Sequence, residues 1–400
     1  MSETIRNHSP TDDLLRPGAP DSKRAYESEC VREFQGIKQI VIKVGTSVLA
    51  KPDGTLNKSY MQPFALQVSK LVKKGKTVII VSSGAIVSGA KELGLDAMPK
   101  DIPSRQAAAA VGQTVLMEAW RAAFRKHGLQ VAQILLTYEA FSNRRTYINL
   151  RNSMTILTKH GTIPIINEND PISVHEIEST FGDNDKLSAL VAANTDTSLL
   201  ILLTDVDGLY TMNPRHKDAE LISEVAEITD AIEKIGGDPG SWRTKGGMKS
   251  KIEAAKIAAH SNCAMIIANA REKDVITRIV RGEEIGTLFK PARSWYSNKK
   301  RWIRYSISNG KIAIDQGAKT ALLSGSSLLP SGILDVEGDF EAGSIVSITH
   351  AGKMVAKGVV DYSSEELKMI KGKHTDNIEK ILGYKNYDNA ARSENIALEQ

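Results

Sequence analysis

From position 37 onward, short runs of branched apolar residues alternate with longer stretches in which apolar residues recur at helical spacing. The runs at 40–44, 77–81, 131–136, 162–166, 199–203 and 264–268 show little polar alternation. Runs of that kind predict strands covered on both faces, as in mostly parallel sheets. Between them, 59–74, 104–127, 143–160, 186–194 and 247–261 predict helices. Strands spaced by helices in this way predict an α/β domain over residues 37–290.

Around 291–300 the pattern breaks at Pro291, Ser294 and the basic run Asn298, Lys299, Lys300 and Arg301, which reads as a linker. Beyond Trp302 the helical period thins out. Short strand-like pieces at 312–314, 332–336, 344–348 and 354–360, separated by glycine turns, predict a small β-rich domain over 301–384. The flanks differ from both domains. Residues 1–36 are polar and rich in Pro, Ser and Asp, which predicts a flexible extension. Residues 385–400 read as a polar tail.

Composition narrows the class. Of 400 residues, 41% are apolar and 30 more are glycine, as in a soluble globular protein. No apolar run approaches the ~20 residues that cross a bilayer. The first thirty residues lack the apolar core of a signal peptide, so a cytoplasmic protein without membrane contact is expected. A formal charge of +5 is small for this length and makes a weak argument for nucleic acid. Cys30 and Cys263 lie far apart and the eight histidines are scattered. Neither a structural disulfide nor a protein-bound transition metal is expected.

The unusual chemistry gathers where the predicted strands end, which is where open α/β sheets bind ligands. The first strand runs into Lys43, Val44, Gly45, Thr46 and Ser47, and the second ends in Ser82, Ser83, Gly84 and Ala85. Asn167, Glu168, Asn169 and Asp170 close the fourth, with Gly182, Asp183, Asn184, Asp185 and Lys186 in the loop beyond. Thr204, Asp205, Val206, Asp207 and Gly208 close the fifth, and Lys245, Gly246, Gly247, Met248, Lys249, Ser250 and Lys251 open a helix. Glycines admit main-chain N–H groups to phosphate oxygens, and a helix start adds a positive end. Lysines add mobile charge for a phosphoryl group in transfer. The mixture predicts phosphoryl transfer. Neither common phosphate motif is present. Gly75-Lys76-Thr77 has Lys70 where a Walker loop needs glycine, and no His-Arg-Asp or Asp-Phe-Gly occurs.

Six blocks in order carry a resemblance to a known family: IVIKVGTSVL (40–49), VIIVSSGAIVSG (78–89), IPIINENDP (163–171), FGDNDKLSALVA (181–192), LLTDVDGLYTMNP (202–214) and GGMKSKIEAAKIA (246–258). Together they resemble the amino acid kinase family, and within it the members that phosphorylate glutamate. The stretch DQGAKTALLSGSSLLPSGILDVEGDFEAGSIVSI (315–348) resembles a PUA domain. The resemblance implies a three-layer αβα sandwich with a mostly parallel central sheet, followed by the small PUA domain. It also implies phosphorylation of the γ-carboxylate of L-glutamate by ATP with Mg²⁺, the first step of proline synthesis, with proline as feedback inhibitor and a dimer or tetramer as the assembly. Another small acid or a nucleotide is the alternative acceptor on the same fold.

The same resemblance assigns roles. Lys43, Asp185 and Lys251 are implied as catalytic, the aspartate orienting the two lysines; from residue type alone, Asp185 could also cap the helix that follows it. Ser83, Asn167, Asp170, Asp183 and Asn184 are implied to bind the amino acid. Asp170 suits its ammonium, and Asn184 or main-chain N–H groups suit its α-carboxylate. Lys43, Gly45, Thr204, Asp205, Lys245, Gly246, Gly247, Met248, Lys249, Ser250 and Lys251 are implied to bind ATP. Where the family has Gly-Thr-Gly-Gly-Met, this chain has Thr244-Lys245-Gly246-Gly247-Met248, a departure that adds a cation beside the phosphates. PUA domains elsewhere bind RNA. From Asn298 onward, however, 14 Lys and Arg face 13 Asp and Glu, and a solvated linker accounts for the cluster Lys299, Lys300, Arg301 and Arg304. A regulatory or assembly role is favoured over RNA.

Overall fold

The computed structural model describes residues 32–34, 36–173, 184–237, 247–292 and 297–399. The first domain opens with β1 (Gln39–Val44), a single turn α1 (Thr46–Leu49) and α2 (Lys58–Lys73). Then come β2 (Thr77–Ser82), α3 (Ala85–Glu92), α4 (Ile102–Arg125), β3 (Val131–Leu136), α5 (Glu139–Ser142), α6 (Arg144–Lys159) and β4 (Ile163–Glu168). After it follow α7 (Asp185–Asn194), β5 (Leu199–Thr204) and the short strands β6 (Leu209–Tyr210), β7 (Leu221–Ile222) and β8 (Glu224–Val225). The domain closes with α8 (Asp230–Gly237), α9 (Met248–His260), β9 (Ala264–Asn269), α10 (Val275–Arg281) and β10 (Thr287–Phe289). Local sequence explains several starts. Asp101 caps α4 through the Ser104 N–H, and Asn143 caps α6 through the Thr146 N–H.

Eight strands form one sheet in the order β3-β4-β2-β1-β5-β9-β10-β8. The strands from β3 to β9 are parallel to their neighbours, and β10 runs antiparallel to β9. Strand side chains alternate between faces, and β1 divides accordingly. Ile40, Ile42 and Val44 join the core beneath α2, α4 and α10, whereas Val41 joins the core beneath α6, α7 and α9. Lys43 therefore lies on the α7–α9 side. The three-layer αβα sandwich expected from sequence is present.

The second domain is a five-stranded sheet, β12-β11-β13-β14-β15, with its own core. It runs from α11 (Asn298–Tyr305) and β11 (Gly310–Ile314) through α12 (Gln316–Leu323), β12 (Ile333–Gly338), β13 (Ile345–His350) and β14 (Lys353–Val359). It ends with α13 (Ser364–Ile370), α14 (Ile378–Leu382) and β15 (Ile396–Leu398).

Three expectations about the flanks need correction. The stretch read as a polar tail supplies β15, which pairs antiparallel with β14, and Ala390, Ala391, Asn395, Ile396 and Ala397 are buried. Its polar residues concealed a short edge strand. The basic cluster read as a solvated linker is helical from Asn298, and Trp302 and Ile303 insert into the first domain's core. Arg301 is buried, donating to the Ser261 carbonyl and pairing with Asp196. In the third case, Phe34, assigned to the flexible extension, packs in the core while the Arg32 N–H donates to the Gly282 carbonyl.

Candidate active site

The parallel strands end together at one edge of the sheet. Lys43, Val81 and Ile166 share one register row across β1, β2 and β4, and Lys43 is also level with Leu202 of β5. One residue beyond that row β2 and β4 turn polar at Ser82 and Asn167, while β1 and β5 stay apolar through Val44 and Leu203. The Gly45 N–H then donates to the Leu203 carbonyl, and the Ser83 N–H to the Val44 carbonyl. At Gly84 the backbone takes φ +99°, a left-handed turn open to glycine, and α3 starts directly after it.

The centre of the site is one carboxylate between two ammonium groups. Asp185 Oδ1 lies 2.6 Å from Lys43 Nζ, and Asp185 Oδ2 lies 3.0 Å from Lys251 Nζ. Ser250 Oγ donates to Asp185 Oδ2 at 2.9 Å. Asp185 is wholly buried and both lysines are nearly so. The N-cap position of α7 belongs to Asn184, so the Asp185 carboxylate does not serve as the cap; it is turned to the lysines. Each lysine arrives for a simple reason. Strand alternation sends Lys43 to the α7–α9 face, and the first turn of α9 presents Lys251 toward the start of α7.

A second cluster lies beside the first. Asn184 Nδ2 donates to the Ser82 carbonyl at 2.8 Å, to Ser83 Oγ at 3.2 Å and to Asn167 Oδ1 at 2.7 Å. Asn167 Nδ2 in turn donates to Gln113 Oε1 of α4 at 2.8 Å. Three of the residues implied to bind the amino acid, Ser83, Asn167 and Asn184, are thus joined directly. Asp170 is half-buried in the turn after β4, and the neighbouring Glu168 accepts from Ser173 Oγ at 2.7 Å.

The residues implied to bind nucleotide are more dispersed. Thr204 Oγ1 donates to Asp205 Oδ1 at 3.1 Å, and both line a cavity of about 460 Å³ shared with Thr46, Ser47, Lys51 and Arg271. That volume lies within the range of small-molecule sites. Gly247 caps α9, Met248 packs against the core and Lys249 is exposed. Asp183, Lys245 and Gly246 lie outside the described residues. Among the described residues no three His, Cys, Asp or Glu side chains converge, and both Asp185 oxygens face lysines. The described chain offers no cage for Mg²⁺, an ion that keeps several waters and is often bound through substrate phosphates.

Two contributors escaped the sequence reading. Gln113 is a lone buried amide in an alanine-rich helix, a weak signal without the fold. Arg271 follows β9 and reaches the cavity only because β9 pairs with β5.

Comparison with known proteins bears on the family and on the two domains. Residues 38–269 match the profile of the amino acid kinase family, and residues 310–382 match that of the PUA domain. The chain is 56% identical over 362 residues to a glutamate 5-kinase of Methanococcoides burtonii, covering 90% of this chain and 96% of the relative. It is 52% identical over 373 residues to a glutamate 5-kinase of Methanosarcina mazei, covering 91% and 97%. With a glutamate 5-kinase of Caldanaerobacter subterraneus it shares 46% identity over 364 residues, covering 90% and 97%.

Proposed function

The chain belongs to the amino acid kinase family, and on that premise we propose that it transfers the γ-phosphoryl group of ATP to the γ-carboxylate of L-glutamate. The products are L-glutamyl 5-phosphate and ADP. The observation that carries the reading is the buried carboxylate of Asp185 holding Lys43 and Lys251 on its two oxygens. The two ammonium groups are brought to one point by the carboxylate they share, and paired cations so placed can stabilise the charge of a phosphoryl group passing between two anionic partners.

The chemistry follows from the substrates' charges. A γ-carboxylate with an ordinary pKa of ~4.3 is ionised at neutral pH, so no general base is needed. One of its oxygens attacks the γ-phosphorus, the bond to the β–γ bridging oxygen breaks, and the electron pair leaves with ADP. The obstacle is repulsion between two oxyanions. Lys43 and Lys251 lower it from two sides, and Asp185 keeps both ammonium groups in place for the transfer. Thr204, Asp205 and the start of α9 receive the nucleotide, while Ser83, Asn167, Asp170 and Asn184 receive the amino acid. The same proposal places the reaction at the start of proline synthesis in the cytoplasm, with proline as feedback inhibitor and a homo-oligomer as the assembly.

The test is ADP release that depends on glutamate, with the acyl phosphate trapped as hydroxamate by hydroxylamine. Absence of turnover on glutamate alongside turnover on another acid or a nucleotide overturns the proposal.

A further inference from the structure

We propose that Gln113 is a substrate-contacting residue whose side-chain Nε2 donates to the α-carboxylate of the amino acid and thereby selects for it. The inference rests on the glutamate reading above and deepens it. It begins from a fixed point, the Ser82 carbonyl, which can only accept. The Asn184 atom 2.8 Å from it must therefore be Nδ2. That same nitrogen lies 2.7 Å from the Asn167 amide, so the atom it meets there is Oδ1, which also accepts the Glu168 N–H at 3.0 Å. Asn167 consequently presents Nδ2 to Gln113, and the Gln113 atom receiving it at 2.8 Å is Oε1. Every amide in the relay is now oriented, and the polarity leaves Gln113 Nε2 at its end.

That nitrogen has no hydrogen-bond partner among the described residues, although Gln113 is only 7% exposed. A buried donor without an acceptor is uncommon in a folded protein and points to a missing partner. Donor arithmetic names the kind of partner. Asn184 Nδ2 spends its hydrogens on Ser82, Ser83 and Asn167, so Asn184 has none for a ligand, and its Oδ1 suits an ammonium instead. The sequence reading left the α-carboxylate to Asn184 or to main-chain N–H groups; with the Asn184 hydrogens spent, Gln113 Nε2 is the side-chain donor placed for it.

Position agrees with this division. Asn167 closes β4, two strands from Lys43 of β1, a separation of about 10 Å at the usual strand spacing. Gln113 reaches Asn167 from α4, which packs on the sheet face opposite the α7–α9 layer that carries Asp185 and Lys251. It is held there because Gly112 lets α4 touch α3: a Cβ at Gly112 would lie 1.9 Å from the Ala85 carbonyl oxygen.

The decisive variant is Gln113→Glu, which keeps an acceptor for Asn167 Nδ2 and replaces the free donor by an anion. The expected result is a KM for glutamate raised roughly ten- to a hundredfold, the range of a lost hydrogen bond to a charged group. The kcat and the KM for ATP should stay within about twofold. The comparison ligand is 4-aminobutanoate, which is glutamate without its α-carboxylate, measured by its inhibition constant against glutamate. That constant should not change. An unchanged KM for glutamate, an equal loss for both ligands, or a fall confined to kcat overturns the proposal, because a structural role through Asn167 would weaken both ligands alike. If Gln113→Glu loses its thermal transition, Gln113→Met, which removes the donor at similar volume, must show the same selective rise in KM. Failure of the glutamate reading itself looks different: the unmodified enzyme then shows no glutamate-dependent ADP release.

Discussion

Lys43 Nζ and Asp185 Oδ1 stand 2.6 Å apart, with side-chain exposures of 3% and 0%. The two residues meet because β1 points Lys43 to the face on which α7 packs, and α7 begins at Asp185. The pair is a buried charge contact whose second oxygen is committed to Lys251. Its members are consequently unequal: losing a lysine breaks one of the two contacts, whereas losing the carboxylate breaks both at once.

The first prediction follows from that inequality. Lys43→Ala and Lys251→Ala should each lower kcat about a hundred- to a thousandfold, the range for one lost electrostatic donor, with modest change in KM for glutamate. Asp185→Asn should lower kcat and also destabilise the protein by about 3–5 kcal/mol, because the partnered charges lose their counter-ion. Steady-state rates with urea unfolding separate the two effects. Near-normal kcat in both lysine variants would remove the basis for the assigned roles.

Asp170 is half-buried in the turn after β4. As the anionic partner of the substrate ammonium, its loss in Asp170→Ala should raise the KM for glutamate tenfold or more while kcat falls little. Initial rates over a range of glutamate concentrations decide this; a change confined to kcat would move Asp170 out of the binding role.

How much of this was legible beforehand depends on how local the signal is. Strand alternation and the polar residues after each strand are local, so the sheet, Lys43 and the Asn167–Asp170 turn could be read directly. The convergence of Lys251 on Asp185 is not local and came only through the family resemblance. Gln113 left no mark in the sequence, because one polar residue in an alanine-rich helix gains meaning only when β4 is beside it. The segment 385–400 misled for the opposite reason. Its polar residues outweigh the short run Ile396–Leu398, and an edge strand of three residues is set by pairing with β14 rather than by its own pattern.

That strand yields a stability prediction. Removing residues 396–400 exposes the β14 edge, uncovers the core around Ile396 and Ala397, and takes away the Leu398 carbonyl to which Arg304 donates. Burial of one isoleucine alone is worth about 1.5–3 kcal/mol. The truncated chain should melt several degrees lower and aggregate more readily through the opened edge. An unchanged melting temperature would restore the reading of a dispensable tail.

The contact between α3 and α4 gives a sharper one. A Cβ at Gly89 would lie 1.7 Å from the Ala108 carbonyl oxygen, as close as the corresponding clash at Gly112. Gly112→Ala must push the helices apart, at a cost of about 3 kcal/mol. Because Gln113 is the next residue, the same change should raise the KM for glutamate in whatever fraction still folds. Alanine at Gly94, where nothing lies near but φ is +70°, should cost less and leave that KM alone.

The last prediction concerns pH and the joint between the domains. His260 ends α9, where the helix dipole favours a protonated ring. Burial nevertheless holds its pKa below 6.5, and the Arg304 guanidinium of α11 pushes the same way, against Glu399. The sign follows from proton counts. Between the lowered folded value and 6.5 the unfolded chain binds more protons, so stability rises with pH there. This contribution is complete above 6.5 and is lost as pH falls through the folded value. His260→Gln cannot titrate and should flatten that part of the profile. Between pH 8 and pH 5.5 the unmodified protein should lose more in melting temperature than the variant does. Equal losses would mean that protonating His260 costs the folded state nothing, and that the hydrogen bond to the Lys256 backbone and Glu399 together offset burial and Arg304.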